Sequence, residues 1–242
     1  MRSKEAHKIR DVVNLRHYFD EEYFEGDGKR PKSGYVRYHG GYSKLEEAMG
    51  KHFHNIFNMA NRYTKGCLDV FAGQGKKALE IGCAYGYGLK VIQRLGYQAY
   101  GIDISEYAIG RAGDICEDVS DVVVADAQQL PFKGLQFDLI ACFDVMEHLP
   151  QPELMVAECY RLLKHSGLFV ATSDNKNSLY GRLVMRDDAT HINMRGPQGW
   201  RNVFARYDWQ RLRILCFERI PKTEIRFVVP YLGNTIMILA QK

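Results

Sequence analysis

Short apolar runs and amphipathic segments alternate between residues 77 and 172, and this alternation limits the possible folds more than any other feature. The apolar runs predicted as strands are residues 77–81, 98–103, 121–124, 137–143 and 168–172. Helical patterns cover residues 87–95, 106–112 and 152–163. Strands that alternate with helices of this length are typical of βαβ units, so we predict a mostly parallel sheet with helices on both faces.

The segments outside this region have a different character. Residues 213–217, 226–229 and 235–240 are predicted as strands with little helix between them, which indicates an antiparallel hairpin at one edge of the sheet. Residues 43–63 are predicted as a helix, with Ser43 as N-cap and Glu46 at the spacing of a capping box. Ser105 is the predicted N-cap of the helix at 106–112.

The composition is that of a folded domain and not of a disordered chain, with 46% hydrophobic and 26% charged residues. A length of 242 residues is enough for one large α/β domain, so we predict a single domain over residues 1–242. The longest apolar runs are far shorter than a membrane span, and residues 1–11 lack the apolar core of a secretory signal. We therefore expect a cytoplasmic protein without a membrane span. The net charge of +4 does not require a nucleic-acid partner, and none is expected.

The cysteines show no metal-binding or redox spacing, because no two of them form a C-x-x-C pair. Several lie inside apolar stretches, which predicts free and mostly buried thiols in a reducing compartment. The six are Cys67, Cys83, Cys116, Cys142, Cys159 and Cys216.

Three glycines in seven residues follow the first predicted strand, as Gly82-x-x-x-Gly86-x-Gly88. Ligands of open α/β sheets bind at the carboxyl ends of the strands, where glycine lets backbone amides approach a ligand without a Cβ between them. The helix that follows offers free N–H groups to polar or negative atoms, so this turn predicts a nucleotide-like ligand. The spacing fits neither the G-x-G-x-x-G dinucleotide fingerprint nor a P-loop.

Acidic residues follow the next strands of the predicted sheet. Asp103 ends the second strand, where a carboxylate can accept hydrogen bonds from both hydroxyls of a ribose. Asp126 follows the third strand, where it can accept from an exocyclic adenine amine. Asp144, Glu147 and His148 follow the fourth strand in the string DVMEH. The sequence therefore predicts that several strand ends bind one ligand.

Together, these strings resemble the motifs of class I S-adenosylmethionine-dependent methyltransferases of the small-molecule branch, from residue 78 to about residue 173. LEIGCAYG is similar to the first motif, E/D-x-G-x-G-x-G, and GIDIS, ADAQQLPF and FDVMEHLP are similar to the later motifs. Ala84 replaces the middle glycine, and its methyl group is expected to shift the cofactor slightly without excluding it. The resemblance implies a Rossmann-like, mostly parallel seven-stranded sheet with helices on both faces, an antiparallel edge strand and an N-terminal helical lid.

The resemblance also implies which residues bind S-adenosylmethionine. They are Glu80, Gly82, Cys83, Ala84, Gly86, Asp103, Ile104, Asp126, Ala127 and Phe143. By the resemblance Glu80 shapes the turn, Asp103 takes the ribose hydroxyls and Phe143 lies near the sulfonium. Asp126 and Ala127 flank the adenine.

The candidate catalytic residues are His191 and His148. A hydroxyl acceptor benefits from a base or a metal that lowers its pKa. His191 ends the string that starts at Asp188, which resembles a D-x-T-H string of many small-molecule methyltransferases, and it could accept a proton near neutral pH. Alternatively, His191 only hydrogen-bonds this segment to the domain. No metal is expected, although Asp144, Glu147 and His148 could ligate a divalent cation with His191.

The segment before the sheet is rich in Tyr, Phe and Gly at residues 18–42. The resemblance implies that it closes over the cofactor and shapes the acceptor pocket, and an ordinary packing arm is the alternative. We therefore expect a lid and helix region at residues 1–63. A cofactor-binding core would follow at 64–242, with a substrate-side insert at 174–200.

The sequence thus predicts an S-adenosylmethionine-dependent methyltransferase with a small-molecule acceptor, and a hydroxyl oxygen is favoured. The alternatives are an RNA or protein methyltransferase and a pseudo-enzyme that binds the cofactor without turnover. A nicotinamide dehydrogenase comes last. The identity of the acceptor and the oligomeric state stay open.

Overall fold

The computed structural model describes residues 16–26, 42–64, 70–116, 121–178, 190–219 and 226–242. The chain divides into two compact units, Met1–Ala127 and Gln128–Lys242. Within the described ranges of both units, parallel strands are connected through helices, as the alternating pattern predicts. No helix in these ranges is long and apolar enough to cross a bilayer.

The first unit contains a parallel sheet in the order β3-β2-β1. Its strands are β1 (Lys77–Ile81), β2 (Gln98–Asp103) and β3 (Asp121–Val124). Its helices are α1 (Glu21–Glu25), α2 (Tyr42–Thr64), α3 (Tyr87–Arg94) and α4 (Glu106–Ile115). Because Ile81 aligns with Ile102, and Ile102 with Val123, the carboxyl ends of all three strands lie at one edge.

The second unit contains a mixed sheet in the order β4-β5-β8-β6-β7. Its strands are β4 (Phe137–Phe143), β5 (Leu163–Asp174), β6 (Arg211–Arg219), β7 (Arg226–Val228) and β8 (Thr235–Gln241). Its helices are α5 (Pro152–Leu162) and α6 (Pro197–Phe204), and a 3₁₀ turn covers Met146–His148. Strands β4 and β5 are parallel, whereas β8, β6 and β7 add antiparallel pairs.

The described residues form eight strands, at the eight segments whose patterns predict strands, whereas the resemblance implied seven. The antiparallel part has three strands, as the patterns at residues 213–217, 226–229 and 235–240 predict, whereas the resemblance implied one antiparallel edge strand. Strand β5 begins at Leu163 and ends at Asp174, so it is longer than predicted at both ends. Between Phe137 and Leu139 of β4 the register of the pairing with β5 shifts, and this allows β5 to begin at Leu163.

The helix boundaries confirm one predicted cap and contradict another. Ser105 caps α4, since its side chain accepts from the N–H of Ala108 at 3.0 Å. Helix α2 begins at Tyr42, so Ser43 lies inside the helix and is not its N-cap. Glu46, the predicted capping-box partner, instead binds Lys90 of α3 with a 2.9 Å ion pair. Helix α6 was missed, and its first half lies in the segment predicted as an insert.

The described cysteines are free and buried, as predicted. They are Cys83, Cys116, Cys142, Cys159 and Cys216. Cys67 lies outside the described residues. Burial raises the pKa of Cys116 to about 11, so this thiol stays protonated at neutral pH.

Candidate active site

The turn between β1 and α3 has a left-handed backbone at three positions. Gly82, Ala84 and Gly86 have φ angles of 74°, 45° and 79°. A Cβ at Gly86 would lie 2.5 Å from the sulfur of Cys116, so only glycine fits there. Ala84 holds a conformation that costs a residue with a Cβ about 1–2 kcal/mol. The turn thus keeps its left-handed backbone although Ala84 stands where the motif has its middle glycine, and Ala84 is strained there.

Asp103, at the end of β2, binds this turn directly. Its Oδ2 accepts from the N–H of Ala84 at 2.9 Å, and its Oδ1 accepts from the N–H of Ser105 at 2.9 Å. Burial raises the pKa of Asp103, and the backbone N–H groups that bind it oppose this shift. A carboxylate can accept about four hydrogen bonds, so acceptor capacity remains for ligand hydroxyls.

Glu80 lies beneath the same turn and is 2% exposed. A Cβ at Gly88 would collide with its carboxylate, so this glycine makes room for the acid. Its Oε2 has no hydrogen-bond partner among the described residues. Burial, followed by the charge of Asp103, raises the pKa of Glu80 well above its usual range. A buried acceptor without a partner fits a ligand that brings a positive or hydrogen-bonding group to this turn.

Replacing Glu80 with glutamine is expected to stabilise the ligand-free protein increasingly as the pH rises. The folded state holds the Glu80 proton more tightly than the unfolded state, so stability is lost as the pH rises from the ordinary carboxyl pKa towards the raised one. Glutamine does not titrate and escapes this loss, which is at most about 1.4 kcal/mol per pH unit.

Urea unfolding of E80Q and of the wild-type protein at pH 5 and pH 8 measures this difference. The exposed Glu106, changed to glutamine, is the matched control in the same unit. A stability difference for E80Q that is the same at both pH values would show that Glu80 titrates normally.

The residues predicted to bind adenine follow β2 and β3. Ile104 is partly exposed, and Ala127 is buried. The N–H of Ala125 donates to the backbone oxygen of Asp103 at 2.9 Å, which continues the pairing past the end of β3. This pairing brings the segment that contains Asp126 beside the end of β2.

Residues 16–26 dock on the residues around Asp103. The Glu25 carboxylate accepts from the hydroxyl of Tyr85 at 2.9 Å, and the rings of Phe24 and Tyr85 have their centroids 5.2 Å apart. The hydroxyl of Ser105 donates to the backbone oxygen of Phe19. Glu25 and Tyr85 were not predicted as site residues, and no periodicity signals this pair, which is 60 residues apart. Residues 27–41, which include Tyr35 and Tyr38 of the predicted lid, lie outside the described residues.

The end of β4 carries a second strained residue. Phe143 ends the strand and is 8% exposed, and Asp144 follows with a φ of 54°. The N–H of Asp144 donates to the backbone oxygen of Thr172 at 3.1 Å, and the Thr172 hydroxyl donates to Asp144 Oδ1 at 2.8 Å. Positive φ angles at residues other than glycine are concentrated at functional sites.

Glu147 lies in the 3₁₀ turn and is fully buried. Its Oε1 accepts from the N–H of Asp174 at 3.1 Å, while its Oε2 has no partner among the described residues. Burial, followed by the charges of Asp144 and Asp174, raises the pKa of Glu147 well above its usual range.

The two predicted catalytic histidines, His148 and His191, lie together. Their ring centroids are 4.7 Å apart at an interplanar angle of 70°. Nδ1 of His148 lies 3.2 Å from the backbone oxygen of Thr190, and Nδ1 of His191 lies 3.6 Å from Oδ2 of Asp174. Asp188, which begins the D-x-T-H string, lies outside the described residues.

The segment that carries His191 is fixed to the 3₁₀ turn by Asn193. The backbone N–H of Asn193 donates to the backbone oxygen of Glu147 at 2.9 Å. The Asn193 side chain donates to the backbone oxygens of Leu149 and Pro150 at 2.8 and 3.0 Å. Asn193 and Asp174 were not predicted as site residues. Asp174 had a usable signal, since an acid at the end of a strand is the feature that identified Asp103.

Glu147, His148 and His191 could hold a metal ion. One ligand atom from each lies within 4.8 Å of the other two, and this oxygen and nitrogen set suits a divalent cation. Asp144, which the predicted metal alternative also included, is outside this group and accepts from the Thr172 hydroxyl.

Comparison with known proteins identifies a family for the central part of the chain. A family described as "Methyltransferase domain" matches residues 79–171. A ubiquinone biosynthesis O-methyltransferase from Methylococcus capsulatus is 32% identical over 131 residues, which are 52% of this chain and 54% of the relative. A protein of the same name from Acinetobacter baumannii is 33% identical over 120 residues, which are 46% and 49% of the two chains. The chain thus spans about half the length of these relatives.

Solved structures show the same architecture. A SAM-dependent methyltransferase from Archaeoglobus fulgidus has a TM-score of 0.62 and 23% identity, and the match covers 84% of this chain and 100% of the other. A possible histamine N-methyltransferase from Thermotoga maritima has a TM-score of 0.59 and 17% identity, covering 78% and 99% of the two chains. These likenesses confirm the predicted Rossmann-like fold class.

Proposed function

Because the chain carries a class I S-adenosylmethionine-dependent methyltransferase domain, we propose that it transfers a methyl group from S-adenosylmethionine to a hydroxyl oxygen of a small molecule. The observation that carries this proposal is the Asp103 carboxylate, which two backbone amides hold beside the left-handed turn. A fixed carboxylate at the end of the second strand of a nucleotide-binding sheet is suited to a ribose diol.

The residues that the resemblance implies supply the cofactor contacts in this proposal. S-adenosylmethionine, when bound, supplies a methyl carbon that its sulfonium makes electrophilic. Asp103 accepts from the ribose hydroxyls, while Glu80 offers its unpaired oxygen to the positively charged methionine end. Ile104 and Ala127 give apolar contact to the adenine, and Asp126 accepts from its amine. The remaining assignments rest on the resemblance, namely the backbone of Gly82, Cys83, Ala84 and Gly86 and the side chain of Phe143.

Two histidines supply the acceptor chemistry in this proposal. A hydroxyl is a weak nucleophile until a base takes its proton, and His191 and His148 form a pair of imidazoles able to do so. We assign the proton to His191, because it lies beside the Asp174 carboxylate. An oxygen acceptor is also supported by the two relatives, whose name is O-methyltransferase.

The remaining proposals concern the lid, the domain organisation, the cellular location and the binding partners. Residues 16–26 are proposed to be part of a lid, because Glu25 and Phe24 contact the turn that holds Asp103. The single-domain organisation, the insert at residues 174–200, the cytoplasmic location and the absence of a nucleic-acid partner stay predictions.

Calorimetry and a methyl-transfer assay test the proposal. We expect the purified protein to bind S-adenosylmethionine and not NADH, and to pass labelled methyl groups to members of a panel of phenols and aliphatic alcohols. Turnover that persists in excess EDTA would support a histidine base, whereas its loss would indicate a metal at Glu147, His148 and His191. Transfer to RNA or protein in place of the alcohols would favour the first alternative. Cofactor binding with no turnover on any of these acceptors would favour the pseudo-enzyme.

A further inference from the structure

Exposed apolar side chains are concentrated in the segment that contains β7 and leads to β8. Four of the seven exposed large hydrophobic side chains in the described ranges lie there, namely Phe227, Val228, Tyr231 and Leu232. Tyr231 is 66% exposed, the largest fraction among the seven. Single exposed apolar residues are common on soluble proteins, whereas a contiguous group of them marks a surface that binds something apolar. We call residues 227–232 the apolar tip.

The apolar tip lies at the carboxyl edge of the sheet in the second unit. Asp174, the last residue of β5, aligns with Thr235, the first residue of the antiparallel β8, so the chain that leads into β8 lies beyond the carboxyl end of β5. Ligands of open α/β sheets bind outside this edge. The N–H of Asp174 also donates to Glu147 of the 3₁₀ turn, so the candidate active site and the apolar tip adjoin the same strand end.

Asn175, the residue after β5, fixes the backbone of the apolar tip. Its side chain is buried, and Nδ2 donates to the backbone oxygens of Tyr231 at 2.9 Å and Gly233 at 2.7 Å. The N–H of Asn175 donates to the backbone oxygen of Asn234 at 3.0 Å. A Cβ at Gly233 would lie 2.6 Å from the backbone of Phe217, so this turn packs closely against β6. A surface whose backbone is already fixed loses little conformational entropy when a ligand binds.

We propose that Tyr231 and Leu232 are specificity-determining residues for the acceptor, and that they select hydroxyl compounds that carry an apolar group. This inference rests on the proposed function: the hydroxyl lies at the histidine pair, and the apolar group extends along the sheet edge to the apolar tip. The size of the surface favours this occupant. Four partly exposed side chains offer much less than the roughly 800 Å² that each partner buries in a stable protein complex, so a small apolar group suits them better than a second protein.

A series of 4-alkylphenols tests this selectivity, namely phenol, 4-ethylphenol, 4-butylphenol and 4-hexylphenol. In the wild-type protein, kcat/KM should rise along the series by up to about fourfold for each methylene removed from water. In the double variant Tyr231→Asn, Leu232→Ser, the ratio of the 4-hexylphenol value to the phenol value should fall by about tenfold or more. Asparagine tolerates the φ of 65° at position 231, so the variant keeps the backbone. The loss should appear in KM more than in kcat, because apolar contacts bind the ground state and the transition state alike.

The matched control is Leu135→Asn. Leu135 is also exposed and has a φ of 54°, but it lies before β4, at the amino edge of the same sheet. This variant should keep the wild-type rise in kcat/KM along the series. If the double variant discriminates between 4-hexylphenol and phenol as strongly as the wild-type protein does, the inference is overturned while the proposed function stands.

Binding measured without turnover separates the inference from the proposed function. With S-adenosylhomocysteine present, the calorimetric Kd of 4-hexylphenol should be about tenfold higher in the double variant and unchanged in L135N. If the wild-type protein methylates no phenol, the proposed function fails, and this Kd still decides whether the apolar tip binds an apolar group. If the double variant changes a dimer into a monomer in sedimentation analysis and keeps the wild-type Kd, the apolar tip is a subunit contact and the inference is wrong.

Discussion

Replacing Asp103 with alanine is expected to weaken S-adenosylmethionine binding about 100-fold. Each ribose hydroxyl that donates to a charged carboxylate contributes about 1.5 kcal/mol or more, and two such bonds correspond to a factor of about 100. The carboxylate also accepts from the backbone N–H groups of Ala84 and Ser105, so its loss removes the support of the turn. Calorimetric titration of the variant with S-adenosylmethionine measures the effect.

The matched control for this change is Asp121→Ala, an exposed acid at the amino end of the neighbouring strand β3, which should bind the cofactor normally. Asp103→Asn keeps an oxygen for one backbone N–H and should fold better than the alanine variant while still binding weakly. If the affinity of D103A stays within threefold of the wild-type affinity, Asp103 does not bind the ribose, and the cofactor assignment of the first unit is wrong.

Replacing His191 with alanine is expected to lower kcat by about 10²–10⁴, the range that a general base contributes. Cofactor affinity should change less than twofold, because the assigned cofactor contacts lie on other elements. His148 would stay in place in this variant, since Thr190 holds it through a backbone oxygen. Initial rates at saturating cofactor, combined with calorimetric titration, separate the two effects.

The control is His165→Ala, an exposed histidine in the same strand as Asp174 but distant from its carboxyl end. It should leave the rate unchanged. If H191A kept the wild-type rate, His191 would not be the general base, and His148 would be the remaining candidate for that role. Loss of cofactor affinity in parallel with the rate would show that His191 supports the fold of the site and not the proton transfer.

Much of the fold could be predicted because its signals are local. The alternating apolar runs placed β1, β2, β3 and β4 at the ends that the structure shows. Ser105 could be identified as a cap from its position before a helical pattern. Some elements were not predicted correctly. Strand β5 extends beyond its predicted bounds at both ends, with a register shift against β4, and helix α6 was missed.

The candidate site, too, combines residues that have a local sequence signal with contacts that have none. Asp103 follows from the strand-and-turn pattern, because it lies at the carboxyl end of β2, whereas the role of Glu80 was implied by the resemblance. The sequence also singled out His148 and His191, but their contact joins residues more than 40 positions apart and is not encoded by any spacing.

The sequence by itself thus determined the order of the strands, the turn after β1 and the acids at the strand ends, since periodicity and strand ends are properties of contiguous residues. Only the tertiary structure decided that Asp174 lies beside His191 and that Glu25 binds Tyr85. It also decided that Glu80 and Glu147 each have a buried oxygen with no hydrogen-bond partner in the part of the chain that the structure describes. These facts depend on which distant segments come together and on how much water they exclude. Both are set by the packing of the whole chain.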